Sequence, residues 1–302
     1  MEIGSKVRRQ WGEHGDGCSH SEGKMIQTKP LESLDDFIST TRRYRRRWED
    51  EWDTTWQPWF RGEKYSLSPM RLRPKLYRSP RTLRELLYVE QELRLDFRRK
   101  AALLISERQP SGDLQHWEWY FLMQHYGVPT RLLDWTDSSL VGLFFALSDR
   151  TDPKDKSDSA VYMIDPWWLN DIVFRSGRSR SKSKYQGIAL PDWAVAHRYL
   201  AEDEFRSVEL KTELPLAVAP TYLSRRFAAQ RSQFTIFGRD KGNHLVSLGK
   251  PKDSRIRKIR IKGDRIPEIK SELAGCGITE SMVFPDLDGL GRELYDFWER
   301  SA

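Results

Sequence analysis

The sequence predicts an α+β protein, with a helical N-terminal half packed on a small, mostly antiparallel sheet. Two observations predict it. Long stretches with apolar residues at helical spacing concentrate before residue 148. Short apolar runs bounded by turn residues, AVYMID, PLAVAP, QFTIFG and KIRIK, follow it. Helices gathered first and strands afterwards fit α+β better than alternating βαβ units. No internal repeat is visible. Residues 1–30 are polar, glycine-rich and aperiodic, and read as a flexible arm. Residues 31–302 read as one globular domain.

Taken in order, LESLDDFISTTRRYRRRWEDEW places Leu31, Leu34, Phe37, Ile38 and Tyr44 near helical spacing. Its arginines, Arg42, Arg43, Arg45, Arg46 and Arg47, form either a phosphate-contacting face or a solvated one paired with Glu49, Asp50 and Glu51. TTWQPWFRG reads as a strand entering a glycine turn. Prolines between residues 69 and 80 forbid a long helix there. Residues 81–105 form the clearest helix, with Leu83, Leu86, Leu87, Val89, Leu93, Leu95, Phe97, Leu103 and Leu104 on a broad apolar face. DLQHWEWYFLMQHYG is a second helix, capped by Gly127. SSLVGLFFALSD is a third, with Ser138 or Asp137 at its N-cap. PWWLNDIVF begins with proline at the first helical position. IPEIKSELAGCG ends at glycine, and DGLGRELYDFWER closes the chain's helices.

The chain has 302 residues, 38% hydrophobic and 31% charged, as expected of a soluble globular protein. Its 51 basic residues outnumber 44 acidic ones, giving a net charge of +7. That balance favours acidic partners, with nucleic acid first. The two cysteines, Cys18 and Cys276, have no zinc or CxxC spacing and fit a reducing cytoplasm. No apolar run approaches the about 20 residues that span a bilayer. The first residues, MEIGSKVRRQWGEHGDG, lack the apolar stretch of a signal peptide. A cytoplasmic protein without a membrane anchor is expected.

The densest cluster of reactive side-chain types lies in QHYGVPTRLLDWTDSSLVGLFFALSD, residues 124–149. Gly127 ends a helix and Pro129 fixes the next turn, displaying Thr130 and Arg131 on a rigid loop. Leu132 and Leu133 anchor the loop in the core, and Asp134 and Thr136 follow. Asp134 serves either a ligand or the loop backbone. His125 is either a ligand-binding donor or a packing residue. Arg61, beside Gly62 at the end of a strand, grips a phosphate or carboxylate with its planar fork, or pairs internally with a carboxylate such as Asp134. Gly62 permits a turn or a close approach. The loop has neither P-loop nor Rossmann glycine spacing, and no Ser-His-Asp order or HExxH occurs. Asp286 and Asp288 in FPDLDGL could suggest a cation site, but the following glycine and helix point to capping. No metal is expected. The loop RSGRSRSKSKYQG carries Arg175, Arg178, Arg180, Lys182 and Lys184, a mobile electrostatic funnel for a nucleic acid.

Four blocks carry a family resemblance: FRG at 60–62, QHYGVPTRLLDWTDSSLVGLFFAL at 124–147, AAQRSQFTIFG at 228–238 and GITESMVFPDLDGLGREL at 277–294. They resemble the FRG domain, a bacterial family, over about residues 55–295. More distantly, the aromatic-Arg-Gly strand is similar to the first motif of arginine-type ADP-ribosyltransferases, in which that arginine holds NAD phosphates. GLFFALSD resembles the segment supporting the nicotinamide. QFTIF sits where those enzymes carry a glutamate at the start of a late strand, and Gln233 occupies that place here.

The resemblance implies an ADP-ribosyltransferase-like core and NAD as substrate. Arg61, Gln233 and Glu280 become the catalytic candidates. Arg61, His125, Tyr126, Thr130, Arg131 and Asp134 become the NAD-binding candidates. Cleaving the nicotinamide–ribose bond passes through an oxocarbenium-like state, as in glycoside cleavage. A carboxylate near the ribose stabilises it, an arginine neutralises the pyrophosphate, and aromatic rings stack on the nicotinamide. The expected function is ADP-ribosylation of RNA or DNA by a toxin or anti-phage effector, with a neutralising antitoxin partner. A non-catalytic nucleotide or nucleic-acid binding module is the alternative. A nuclease finds no support in clustered acids.

Overall fold

Six short apolar runs become strands because each places large side chains alternately on two covered faces. A computed structural model of the chain describes residues 29–52, 57–67, 72–101, 104, 116–148, 155–176, 187–192, 194–200, 210, 212–241, 245, 248 and 254–301. The strands are β1 (Trp59–Glu63), β2 (Leu132–Thr136), β3 (Ser159–Ile164), β4 (Leu216–Val218), β5 (Ser232–Ile236) and β6 (Ile256–Ile261). They form one six-stranded sheet in the order β4-β5-β2-β1-β3-β6. Each neighbouring pair runs antiparallel.

The helices are α1 (Leu34–Trp52), α2 (Leu83–Ala101), α3 (His116–His125), α4 (Ser139–Leu147), α5 (Pro166–Ser176), α6 (Arg225–Ala229), α7 (Ile266–Gly275), α8 (Glu280–Val283) and α9 (Leu287–Ser301). The α+β class therefore holds, but the division into a helical half and a strand half does not. The two central strands come from the first half of the chain, and α5 to α9 from the second. The helix α6 has five residues and α8 four, too few to print a helical period in the sequence.

The sheet has a seam at its centre. Strand β1 pairs with β3 along five positions, and β2 with β5 along five. Between β1 and β2 only Phe60 and Thr136 are paired. Beyond that bridge a side chain replaces the backbone ladder. Arg61 Nη1 donates to the Asp134 carbonyl at 2.9 Å.

One face of the sheet carries two apolar clusters. Phe37, Tyr44 and Trp48 of α1 join α4 and α7 over β1, β3 and β6. Tyr120, Phe121 and Phe227, from α3 and α6, cover β2, β4 and β5. Trp59, Trp135, Tyr162 and Trp168 build the third cluster. Helix α4 is apolar nearly all round and buried accordingly. Ser138 caps it, accepting from the Val141 N–H at 3.4 Å. Its backbone lies directly on β1. A Cβ at Gly62 would sit 2.3 Å from the Ala146 nitrogen, and one at Gly142 would sit 2.7 Å from Phe60 Cβ. Gly62 thus serves helix–strand contact.

A buried ion pair locks the turn before β2. Gly127, at φ 76°, ends α3, with Val128 N–H donating to Met123 O and Gly127 N–H to Gln124 O. This is the Schellman arrangement. It delivers Arg131 into the interior, where its Nε donates to Glu90 Oε2 at 2.8 Å. Its Nη1 and Nη2 donate to the carbonyls of Phe237 at 3.0 Å and Tyr199 at 2.6 Å. Tyr120 donates to the same carboxylate and accepts from the Arg131 N–H. Burial opposes the Arg131 charge, but Glu90, Tyr120 and Tyr77 together outweigh it and hold the guanidinium protonated beyond its ordinary range. Burial and Glu90 likewise push the Tyr120 hydroxyl well up. The buried stripe of α2 is therefore Leu86, Glu90 and Arg94, not an apolar face throughout.

Helix α9 packs on α8 and leaves Leu287, Leu294, Phe297 and Trp298 largely exposed. No helix among the described residues is long and apolar enough to cross a membrane.

Gly62→Ala should lower stability by about 3 kcal/mol, read as a shift of the urea midpoint without a change in slope, because helix and strand backbones cannot separate locally. Glu90→Gln, which leaves the buried Arg131 charge unpaired, should cost about 3–5 kcal/mol in the same measurement.

Candidate functional site

Between the two apolar clusters on the helical face lies a cleft of about 330 Å³. Asp134 and Thr136 of β2 and Ser232 and Phe234 of β5 contribute to it, because alternate residues of paired strands face one way. Phe60 and Gly62 of β1, with Phe145 of α4, form one wall. Gln124 and His125 at the end of α3, with Arg226, Phe227 and Gln230 around α6, form the other. Arg61 lines the cleft at the seam.

The polar groups are held by short relays. The Leu132 N–H donates to Thr130 Oγ1 at 3.0 Å, and that hydroxyl donates to Gln124 Oε1 at 2.5 Å. The Gln124 amide is thereby oriented, with Nε2 donating to both oxygens of Asp134 at 2.9 Å. Arg61 Nε donates to Glu63 Oε1 at 2.8 Å, and its Nη1 lies 3.7 Å from Asp134 Oδ2. Asp134 remains more than half exposed and presents a fixed carboxylate to the cleft. His125 stacks edge-on between Tyr126 and Phe227, each ring centroid 4.9 Å away. Burial and the Arg226 guanidinium hold its imidazole below its ordinary range, so it is neutral at pH 7. Ser224 caps α6, accepting from the Phe227 N–H at 3.2 Å, and so positions Arg226. The Arg226 guanidinium lies over the Phe284 ring, 4.5 Å from its centroid.

Residues 56–155 match the family model of the FRG domain. The chain carries an FRG domain. No curated protein and no solved structure matches the chain. The matched span of the FRG domain contains β1, α2, α3, β2 and α4. It supplies Arg61, Gln124, His125 and Asp134, whereas Arg226, Gln230 and Ser232 come from beyond it.

The fold brings together Arg61, His125, Asp134 and Thr136 of the residues singled out in the sequence. Among the described residues, the other candidates do not line the cleft. Tyr126 leans outward between His125 and Phe97 and is mostly exposed. Thr130 is buried behind Gln124, and Arg131 is wholly committed to Glu90 and two carbonyls. Gln233 falls between Ser232 and Phe234, which face the cleft, and its amide donates to Asp137 Oδ2 at 3.3 Å. Glu280 pairs with Arg292 Nε at 2.7 Å and lines a separate groove of about 870 Å³ beside α9. Arg175 lies in the last turn of α5, paired with Asp171 at 2.9 Å. Arg178, Arg180, Lys182 and Lys184 lie outside the described residues. Asp286 caps α9, accepting from the Gly289 N–H at 2.8 Å. Among the described residues no group of three metal-ligating side chains occurs.

Sequence reasoning missed Gln124 and Arg226. Gln124 opens the block that drew attention, but its role depends on contacts with Thr130 and Asp134 that only the fold supplies. The signal for Arg226 was the serine two residues before it, a cap for a helix too short to show a period.

Because the folded state disfavours a charged His125, the unfolded chain takes up that proton first on acidification. Stability from this group is complete above the ordinary histidine value of about 6.5 and is lost as pH falls below it. His125→Phe should flatten the fall in thermal midpoint between about pH 7 and pH 5.

Proposed function

We propose that the cleft binds NAD and that the protein transfers its ADP-ribosyl group to a nucleic acid. The observation that carries this reading is the meeting of Arg61, His125 and Asp134 in one ring-lined cleft. Asp134 is a carboxylate on the cleft wall, fixed by Gln124. It takes the part that the sequence reading gave to Glu280, which sits in the neighbouring groove. Departure of nicotinamide breaks the bond between its ring nitrogen and the ribose C1′, and the electron pair leaves with the nicotinamide. A carboxylate near the ribose stabilises the cation that remains. The positive charge of Arg226 offsets the pyrophosphate, and Arg61 holds the strand that carries Asp134. Phe145, Phe227 and the neutral His125 ring offer faces for a flat heterocycle.

A nucleic-acid acceptor is supported by the net charge of +7. It is supported too by the exposed Arg42, Arg43, Arg46 and Arg47, which follow one face of α1. Such a transferase suits a toxin or anti-phage effector, restrained by a neutralising antitoxin. Among the described residues, Gln233 and Glu280 stand apart from the cleft. That favours a second reading, a nucleotide-binding module without turnover.

Incubating the full chain with NAD labelled in the adenylate, and with total RNA, DNA or protein, separates the two. Label should enter RNA or DNA, or nicotinamide should be released. Asp134→Asn and Arg61→Ala should each lower the rate by at least about 100-fold. NAD binding without nicotinamide release would favour the binding module. Activity unchanged in both variants would place the chemistry elsewhere.

A further inference from the structure

The two arginines lining the cleft differ in how their charge is met. Arg61 has Glu63 at 2.8 Å and Asp134 at 3.7 Å, and its Nη1 is spent on the Asp134 carbonyl. Its environment is that of an internal brace. The Arg226 guanidinium has neither an ion pair nor a hydrogen bond among the described residues. Its contact is the Phe284 ring, which also receives the Arg292 guanidinium, 5.0 Å from the centroid. Glu280 neutralises Arg292. Arg226 is left as an unmatched cation, partly buried on the wall of a concave site. His125, beside it, also makes no hydrogen bond among the described residues.

Burying part of a guanidinium that no carboxylate contacts costs free energy, which the more distant Asp286, Glu280 and Asp134 offset only in part. Burial and the Arg292 charge, partly offset by Asp286, lower its proton affinity. The group is nonetheless protonated throughout the neutral range. Stacking on Phe284 occupies the face of the guanidinium and leaves its N–H edge for oxygen acceptors in a fork geometry.

We propose that Arg226 is the anion-binding residue of the cleft, receiving the phosphate oxygens of a nucleotide, and that Arg61 is a positioning residue that holds β1 to β2. The proposal rests on the reading of the cleft as a nucleotide site, and specifies which side chain meets the phosphate. Phe284 serves as the platform for Arg226. That gives the segment between α8 and α9 a part in binding without placing its carboxylate on the ligand.

The test is calorimetric titration of the full chain with inorganic pyrophosphate and, separately, with NAD, at several salt concentrations. Arg226→Met should weaken pyrophosphate binding about tenfold or more and flatten its salt dependence. Arg226→Lys should recover part of the affinity, since charge returns without the fork. Arg226→Met should retain the wild-type unfolding midpoint, because it removes no internal hydrogen bond. Arg61→Met should lower that midpoint while keeping most of the pyrophosphate affinity. Wild-type protein that fails to bind pyrophosphate, or Arg226→Met binding it as tightly as wild type, would overturn the proposal. Pyrophosphate bound through Arg226 without competition from NAD would leave the proposal standing and remove NAD as the ligand.

Discussion

The pairing of Glu90 with Arg131 is the constraint on which the remaining architecture depends. It joins α2, α3, the start of β2, the residue after β5 and the short turn at Tyr199 through one guanidinium and one carboxylate. Two buried charges are tolerated because each guanidinium nitrogen and both carboxylate oxygens make a hydrogen bond. The residue before Arg131 is Thr130, and the hydroxyl of Thr130 orients Gln124. Gln124 in turn holds Asp134. Arg131 of the interior lock and the cleft carboxylate of Asp134 are thus three residues apart on one strand entry. Loss of the lock would be felt at the cleft before any cleft residue moved on its own.

Much of the scaffold could be read from the chain because it obeys periodic rules. The amphipathic spacing of α1 predicted its buried Leu34, Phe37 and Tyr44, and Gly127 announced the end of α3. Pro166 and Ser138 announced the starts of α5 and α4. What could not be read obeys no local period. The buried stripe of α2 carries Glu90 and Arg94 where an apolar face was expected, and the partners of Glu90, Tyr120 and Arg131, lie in distant segments. Arg131 looked like a displayed ligand-binding residue and is a structural one. Sequence gives a side chain's chemistry but not the direction in which a turn delivers it.

The candidate site was legible in the same uneven way. Arg61, His125 and Asp134 stood out as reactive types on short, rigid segments, and the fold gathers them. Gln233 was judged by its position at the start of a late strand, and strand alternation sends it away from Ser232 and Phe234. Glu280 was judged by its neighbours in a specific block, yet an ion pair with Arg292 claims it. The FRG domain match ends at residue 155, whereas the cleft is completed by α6 and β5 some seventy residues later. Residues 56–155 therefore do not contain the whole site.

The seam in the sheet has a wider consequence. The strands on either side of it, β4-β5-β2 and β1-β3-β6, are joined by the pair Phe60 and Thr136 and by the reach of Arg61. Anything bound in the cleft touches both groups of strands at once. Occupancy is then linked by mass action to the cohesion of the sheet, because the native form binds and the unfolded chain does not. A melting curve consequently serves as a ligand detector for this molecule. A library of metabolites can be ranked by the temperature rise each confers, with no assumption about the reaction that follows.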